Sequence, residues 1–260
     1  MEITAAPHWQ TVDFISDLHL QASEPATLQA LAAYLAHTPA QALFILGDLF
    51  EVWVGDDVLD SPGFESEVAQ LLHAASRRLD LFILCGNRDF LMGQRLLAAC
   101  GAKRLEDTSV LQFGTARWLL AHGDAQCLDD LPYQAFRAQV RSPAWQQEFL
   151  NKPLPERQTL ARHMRQQSEA QKKQLANTAV PWIDLDGQAC RALLEAHQAD
   201  HMVHGHTHQP AQHALGAGHM RWVLSDWDLC VTPPRAQVLR LRASDDQPHR
   251  LSLAEATSAL

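Results

Sequence analysis

The chain has 260 residues, of which 47% are hydrophobic, and a formal net charge of −9. This length supports one sizeable hydrophobic core with a small appended subdomain, so we expect a single domain over residues 1–260. The acidic balance argues against a general nucleic-acid-binding protein, which usually carries a basic surface. The five cysteines are odd in number and lack C-x-x-C spacing. They indicate neither a disulfide framework nor a zinc knuckle, and they fit a reducing cytoplasm.

No membrane-spanning or export segment is predicted. The chain opens without a basic and apolar leader, and no run approaches the roughly 18 apolar residues that a spanning helix needs. We therefore expect a protein that is neither exported nor integral to a membrane. Attachment to a membrane surface stays open.

Short apolar segments alternate with segments of helical periodicity along the first 200 residues, a pattern typical of an α/β layered domain. We predict strands at 12–15, 42–46, 79–84, 118–121 and 201–203, with helices at 25–37 and 65–78. Later, residues 221–224 and 236–241 alternate like antiparallel strands, and the polar segment after Ser244 predicts a frayed tail. The expected fold is a β-sandwich flanked by helices.

Residues 130–177 differ in composition and periodicity from the rest of the chain. They are rich in Gln and Arg, and prolines divide them into helical pieces, which indicates an inserted helical cap. Residues 137–173 contain eight Lys and Arg residues against three acids. The cap's apolar positions either pack against the main domain, which is the simpler interpretation, or form a groove.

Polar clusters follow five of the predicted strands at their carboxyl ends, where α/β sheets place ligands. Each cluster offers oxygen or imidazole donors and no thiolate, a set that suits Mn²⁺, Fe²⁺ or Zn²⁺. The alternate spacing of Asp17 and His19 lets one extended segment present two side chains on the same face. The candidate ligands in these clusters are Asp17, His19, Asp48, Asn87, His122, His206 and His208.

The order of these motifs, D-x-H, G-D-x-x-[DE], G-N-x-D, H-G-D and G-H-T-H, resembles the signature of the calcineurin-like metallophosphoesterases. The resemblance spans roughly the first 210 residues. It implies a dinuclear metal centre that activates water and clamps the phosphoryl group under attack. The implied ligands are Asp17, His19 and His208 for one ion, Asn87, His122 and His206 for the other, and Asp48 between them.

Arg88 restricts the class of phosphoester that we expect as the substrate. Many members of that superfamily have a histidine here, thought to protonate an alkoxide leaving group. A guanidinium stays charged, so it stabilises developing phosphate charge but cannot donate a proton. Arginine at this position therefore favours a leaving group that is itself a phosphate, and hence a pyrophosphate substrate.

Longer segments around the motifs look like the UDP-2,3-diacylglucosamine hydrolase family of lipid A biosynthesis: residues 14–20, 50–57, 86–90, 122–124 and 129–137. This resemblance covers most of the chain and implies water attack on the α-phosphorus of UDP-2,3-diacylglucosamine. The implied products are UMP and 2,3-diacylglucosamine 1-phosphate (lipid X). The implied cofactors are two divalent ions per chain, with Mn²⁺ the expected metal.

The same resemblance implies roles for individual residues. Arg88, Asn87 and Asp48 would act in catalysis. Apart from the resemblance, Glu51 and Asp89 are neighbours of the candidate ligands, and we expect them to orient metal-bound groups rather than bind a metal. The implied substrate contacts are Asn87, Arg88, Asp130, Ser168, His206 and one of Lys172 and Lys173.

The basic cap also predicts a partner, the anionic surface of the inner membrane, because each well-placed basic residue contributes about 1 kcal/mol of attraction there. The expected location is the cytoplasmic face of that membrane, with neither nucleic acid nor an obligate protein partner. The main alternative is a soluble nucleotide pyrophosphatase or phosphodiesterase with the same metal core and no lipid substrate. A DNA nuclease and a non-enzymatic binding module fit the acidity and the ligand set less well.

Overall fold

Two stacked six-stranded sheets form the centre of the protein in the computed structural model, which describes residues 1–176, 183–245 and 247–258 and side chains outside 167–176. Within these residues the strands are β1 (Glu2–Thr4), β2 (Thr11–Ile15), β3 (Ala42–Leu46), β4 (Asp80–Leu84), β5 (Lys103–Arg104), β6 (Ser109–Phe113), β7 (Ala116–Leu120), β8 (His201–His204), β9 (Ala211–Gly216), β10 (His219–Val223), β11 (Gln237–Arg242) and β12 (His249–Ser252). The helices are α1 (Pro25–His37), α2 (Phe64–Ser76), α3 (Gln94–Cys100), α4 (Leu131–Val140), α5 (Pro143–Leu150), α6 (Leu154–Ala176), α7 (Gly187–Ala196) and α8 (Leu253–Thr257).

The strand order brings the predicted ligand-bearing strands together. The first sheet runs β12-β11-β2-β3-β4-β5, and β2, β3 and β4 pair in parallel at its centre. The second sheet runs β1-β6-β7-β8-β10-β9, and β7 pairs in parallel with β8. Parallel neighbours end at the same edge of a sheet, so each sheet delivers its polar strand ends to one place.

The central strands are apolar throughout because both of their faces are covered. Phe14, Phe44 and Phe82 stack in a row that packs against the second sheet, with ring centroids 5.2 Å and 4.6 Å apart along the row. The alternate residues, such as Ile15 and Ile45, pack among the helices on the other face. A sheet covered on both sides favours continuous hydrophobic runs, as the sequence pattern indicated.

The predicted α/β sandwich flanked by helices is confirmed, and most element bounds agree within two residues. The helix predicted at 25–37 begins and ends as expected, with Pro25 in its first turn. The antiparallel prediction for 221–224 is half right, since β10 pairs antiparallel with β9 but parallel with β8.

The frayed tail predicted after Ser244 is wrong. Residues beyond it form β12, which extends the first sheet beside β11, and then α8. A capping box starts α8: Ser252 accepts a hydrogen bond from the Glu255 backbone N–H, while the Glu255 carboxylate accepts one from the Ser252 N–H. Local capping of this kind stabilises a polar helix that hydrophobic periodicity alone does not predict. Ala256 is buried under the sheet.

Between β7 and α7 the chain forms the helices α4, α5 and α6, in the region where the cap was predicted. Four cap arginines are ion-paired to acids of the main domain, in the pairs Arg137 with Asp107 and Asp124, Arg141 with Asp124, Arg157 with Asp57, and Arg165 with Glu51. Half of the eight basic residues counted in the sequence thus hold the helices to the sandwich. Among the described helices, none has the length and apolarity needed to cross a bilayer.

Candidate dinuclear metal centre

All seven candidate ligands lie at one end of the sandwich. Asp17, Asp48 and Asn87 follow β2, β3 and β4 of the first sheet, and His122 and His206 follow β7 and β8 of the second. His19 and His208 come two residues after the first ligand of their loops. The carboxyl ends of five strands from two sheets therefore converge on one polar site, as the sequence pattern predicted.

One half of the site is formed by Asp17, His19 and His208. The Nε2 atoms of His19 and His208 lie 3.2 Å apart, and His208 Nε2 lies 3.3 Å from Asp17 Oδ1. Asp17 is fully buried, and its Oδ1 accepts no hydrogen bond from any described residue. A buried carboxylate oxygen without a donor is costly unless a cation completes it, so these three residues fit a divalent metal.

Asn87, His122 and His206 form the other half. Asn87 Oδ1 lies 2.9 Å from both His122 Nε2 and His206 Nδ1. Asp48 Oδ2 lies 3.7 Å from His122 Nε2 and 3.9 Å from His19 Nε2, so this carboxylate reaches both halves. Donor atoms of Asp17, Asp48 and His122 also lie within 4.8 Å of one another, which makes Asp17 a second carboxylate near the shared position.

The backbone at the site is unusual. Five of the seven non-glycine residues with positive φ among the described ones are candidate ligands: Asp17 (53°), His19 (48°), Asp48 (52°), His206 (69°) and His208 (55°). The left-handed region costs a non-glycine residue on the order of 1 kcal/mol or more and persists only where surrounding structure imposes it. These backbone conformations direct the candidate ligand side chains of each loop towards the same site.

Two glycines allow the loops to approach one another. A Cβ on Gly86 would overlap the Asp48 carboxylate, and a Cβ on Gly205 would overlap that of Asp17. Neither position has room for any side chain, so glycine is required for close approach here.

Hydrogen bonds fix the orientation of the candidate ligands. Asp17 Oδ2 accepts from Ser16 Oγ at 2.6 Å and from the His206 backbone N–H at 2.9 Å. The His122 Nδ1 atom lies 3.0 Å from the Leu46 carbonyl oxygen, which places the Nδ1 proton there and leaves Nε2 free as a ligand atom. Glu51 Oε2 lies 3.0 Å from His19 Nδ1 in an ion-pair contact, without the alignment of a hydrogen bond.

The electrostatics of the metal-free chain show how strongly the ligands interact. Burial by itself lowers the pKa of His122, but the Asp48 and Asp17 carboxylates outweigh it and raise that pKa to about 9. Burial, followed by the charge of His122, lowers the pKa of His206 to about 4. Without a metal, the carboxylates therefore favour a proton on His122, and a divalent metal that binds Nε2 would displace that proton and supply the positive charge in its place.

Asp89 connects the two loops that carry Asp48 and Asn87. It is fully buried, and its oxygens accept from the backbone N–H groups of Gly86 and Leu49, both at 2.7 Å. Burial and then the nearby Asp48 charge raise its pKa to about 7. Asp89 therefore ties the loop after β3 to the loop after β4, which agrees with an orienting role.

The predicted substrate contacts, unlike the metal ligands, do not all lie at the site in the described structure. The Arg88 side chain is half-buried and next to Asn87, and its backbone N–H donates to Asp48 Oδ1 at 2.7 Å. Asp130 is the N-cap of α4 and accepts from the Tyr133 N–H at 3.0 Å, which accounts for an acid there without a substrate. Ser168, Lys172 and Lys173 fall on α6, and their side chains lie outside the described residues.

Two neighbours of the site have structural roles. His204 is fully buried, its Nδ1 lies 2.8 Å from the Gly205 carbonyl oxygen, and burial lowers its pKa to about 3, so it is a neutral packing residue. Cys127 is buried, and burial raises its pKa to about 12, which makes a nucleophilic thiolate unfavourable.

Sequence reasoning missed several residues that support the site. Asp226, in the loop after β10, has its Oδ2 atom 3.7 Å from His208 Nδ1. Asp124 accepts from Tyr133 Oη at 2.5 Å and Arg137 Nε at 2.8 Å, and it anchors α4 beside His122. Position after a strand end was the available signal for both acids, but the sequence pattern did not indicate which residues they pair with, even for Asp124, whose partners Tyr133 and Arg137 follow within 13 residues.

The comparisons with known proteins agree with this geometry. The sequence profile of the calcineurin-like phosphoesterase family matches residues 10–210, so the chain belongs to the calcineurin-like phosphoesterases. Three curated relatives are each named UDP-2,3-diacylglucosamine hydrolase. The Chromobacterium violaceum protein is 46% identical, over 83% of this chain and 90% of that one. The Bordetella pertussis protein is 43% identical (85% and 87%), and the Marinobacter nauticus protein 39% identical (92% and 95%).

Proposed function

We propose that this protein hydrolyses the pyrophosphate bond of UDP-2,3-diacylglucosamine by water attack on the α-phosphorus. The products are UMP and 2,3-diacylglucosamine 1-phosphate. The proposal is supported by relatives of that name at 39–46% identity. The observation that carries it is the placement of Arg88 directly beside the Asn87 ligand group, with its backbone held by Asp48. The alternative of a soluble nucleotide pyrophosphatase without a lipid substrate is the less favoured reading.

The chain's own residues have defined parts in this reaction. Two divalent ions bound by the seven candidate ligands supply Lewis acidity to the phosphoryl group and the attacking water. Arg88 stabilises the charge that develops on the leaving phosphate, because a guanidinium neutralises charge without giving up its proton. Asn87 Oδ1 lies between the ring nitrogens of His122 and His206, so it would serve as a metal ligand, and the Asn87 amide NH₂ group would donate to a phosphoryl oxygen. We expect His206, Asp130, Ser168 and one of Lys172 and Lys173 to contact the substrate.

The acyl chains require an apolar surface, and residues 130–177 are the proposed lid over the site within one catalytic domain. Apart from Met1, the exposed large hydrophobic side chains in the described part of the chain all lie between residues 128 and 160: Leu128, Leu131, Phe136, Leu150 and Leu160. Exposed large apolar side chains concentrated in one segment of the chain suit contact with a lipid. They support a lipid-facing role for this segment.

One labelling experiment tests the reaction and its regiochemistry. Purified protein is incubated with UDP-2,3-diacylglucosamine in mixed micelles, Mn²⁺ and ¹⁸O-water, and the products are analysed by mass spectrometry. We expect the label in UMP, since attack occurs at the α-phosphorus. Label in the lipid phosphate would contradict the mechanism. Equal turnover of the unacylated UDP-sugar would favour the soluble pyrophosphatase.

We also propose Mn²⁺ as the metal; the imidazole, carboxylate and amide donors, without thiolate, fit it and also fit Fe²⁺ and Zn²⁺, so the choice among these ions needs a direct comparison. Metal-free protein is reconstituted with Mn²⁺, Zn²⁺, Fe²⁺ or Mg²⁺, and hydrolysis is measured at equal occupancy. The highest turnover with Mn²⁺ is expected. A higher turnover with Zn²⁺ would overturn the assignment.

Peripheral attachment to the cytoplasmic face of the inner membrane is the proposed location. Because four cap arginines are held by acids of the main domain, we expect apolar insertion to contribute more than charge. Co-sedimentation with vesicles of anionic phospholipid at low salt measures binding. The double variant Leu131→Ser/Phe136→Ser should bind less, whereas Val231→Ser, at a partly exposed apolar residue outside the cap, should bind like the wild type. Absence of wild-type binding at low salt would rule out the attachment.

A further inference from the structure

A chain of side chains connects the cap to one candidate metal ligand. Arg165, on α6, forms an ion pair through its Nε atom with Glu51 Oε1. The other oxygen of the same carboxylate, Oε2, lies 3.0 Å from His19 Nδ1. His19 Nε2 in turn faces Asp17, Asp48 and His208, within 3.2 to 4.0 Å of their nearest atoms.

The link lies along one face of α6. Arg157, Ala161 and Arg165 are spaced four residues apart, so they share a face of the helix. Arg157 donates to the Val54 carbonyl and pairs with Asp57, while Ala161 packs against the hydrophobic core. The position of Arg165 is therefore fixed by a helix that is anchored about two turns earlier, at Arg157.

Each group in the chain has a physical reason to depend on the next. An imidazole binds a metal through Nε2 only when its proton resides on Nδ1, and an acceptor at Nδ1 fixes that tautomer. Glu51 is the carboxylate placed next to Nδ1: its Oε2 lies 3.0 Å away in an ion-pair contact, without the alignment of a hydrogen bond, and its side chain is 12% exposed. A carboxylate at this depth needs a cationic partner, which Arg165 supplies to the oxygen that His19 does not use.

We infer that Arg165 and Glu51 are positioning residues that connect closure of the cap to metal binding at His19. The inference rests on the proposed metal centre but not on the identity of the substrate. By linkage, a cap that docks through Arg165 raises the affinity for metal, and bound metal stabilises docking of the cap by the same free energy. Neither residue touches the substrate in this role.

The first test measures Mn²⁺ affinity without substrate, by electron paramagnetic resonance of free Mn²⁺. Outer partners of a ligating histidine change metal affinity by about 10- to 100-fold. The Mn²⁺ affinity of Glu51→Gln should be about 10- to 100-fold lower than that of the wild type. The affinity of Arg165→Gln should be about 10-fold lower. The double variant should bind as weakly as Glu51→Gln alone, since Arg165 acts through Glu51. Arg165→Lys should restore part of the affinity.

The matched control is Arg162→Gln, a variant on the same helix whose guanidinium donates to Thr159 Oγ1. Its Mn²⁺ affinity should equal that of the wild type. Unchanged affinity in Arg165→Gln, with or without loss of turnover, would overturn the inference, and so would fully additive effects in the double variant. Because wild-type Mn²⁺ binding is the baseline, failure of the substrate proposal leaves this test intact.

The second test measures the reverse direction of the linkage by amide hydrogen exchange. Adding Mn²⁺ should slow exchange in peptides covering the first half of α6, residues 154–166. The effect should vanish in Glu51→Gln, whereas α7 should be unaffected in both proteins. Equal Mn²⁺-dependent protection of α6 in the wild type and Glu51→Gln would contradict the connection.

Discussion

The backbone N–H of Arg88 donates to the Asp48 carboxylate, with 2.7 Å between the nitrogen and Oδ1. This bond fixes the backbone position of Arg88. The other Asp48 oxygen, Oδ2, faces His122 and His19. The candidate bridging ligand and the residue proposed to stabilise the leaving phosphate are thus held in one geometry. The bond involves only the backbone of residue 88, so the Arg88 side chain can be removed without disturbing Asp48.

Arg88→Ala should lower kcat by about 100-fold or more, because it removes a charge that stabilises the transition state. Mn²⁺ affinity should remain unchanged, since the backbone bond to Asp48 persists. Steady-state kinetics and a metal titration measure the two effects separately. Arg95→Ala, in which an exposed arginine is removed, is the control and should turn over normally. A normal kcat in Arg88→Ala would contradict the leaving-group argument.

Metal binding should stabilise the fold. A ligand that binds only the folded state adds about 2.7 kcal/mol at 100 times its dissociation constant. We expect Mn²⁺ to raise the Tm of the wild type in a thermal melt and EDTA to reverse the increase. Asp17→Asn should lose most of this increase, whereas His8→Asn, at an exposed histidine, should keep it. An equal rise in Tm for Asp17→Asn would place the metal elsewhere.

The buried pair of Arg240 and Asp13 should dominate the stability of the layer between the first sheet and its helices. Arg240 Nε and Nη2 donate to the two Asp13 oxygens at 2.7 Å and 2.8 Å, and both side chains are fully buried. Arg240→Met leaves a buried carboxylate without its partner and should cost about 3–5 kcal/mol in urea unfolding. Arg242→Met, on the same strand but paired at the surface, should cost less than about 1 kcal/mol. Equal costs would contradict this view.

The attachment of α6 through Asp57 should depend on pH. The hydrogen bond from Arg157 lowers the pKa of Asp57 below its ordinary value. A depressed folded-state pKa gives stability that is present above the unfolded-state value, near 3.9, and is lost as the pH falls through the folded-state value. The stability difference between the wild type and Asp57→Asn should therefore be constant at neutral pH and shrink below about pH 4.

Urea unfolding of the metal-free proteins between pH 3 and 7 measures this difference. Asp129→Asn, an exposed acid at the start of the cap, provides the comparison and should show no such change. A difference that grows on acidification would mean that Asp57 is not held as an anion by Arg157.

The sequence predicted the site better than it predicted the cap. Candidate ligands such as Asp48 and Asn87 follow neighbouring parallel strands of one sheet, whose apolar character is local and whose ends lie together, so strand-end position predicted the part of the site that each sheet contributes. Arg165 pairs with Glu51, 114 residues earlier in the chain, whereas Asp130 caps α4 through a hydrogen bond from Tyr133, three residues later. No local pattern distinguishes a substrate contact from the helix cap that Asp130 forms, or a membrane-facing arginine from one that pairs with Glu51.

The amino-acid sequence by itself determined the alternation of strands and helices, the seven polar positions at strand ends and the position of Arg88, because these follow from local periodicity and residue chemistry. Only the tertiary structure decided that two sheets meet at those ends, that the tail completes the first sheet through β12, and that four of the cap's five arginines pair with acids of the main domain. These depend on contacts between distant segments, whose energies come from burial and pairing rather than from neighbouring residues.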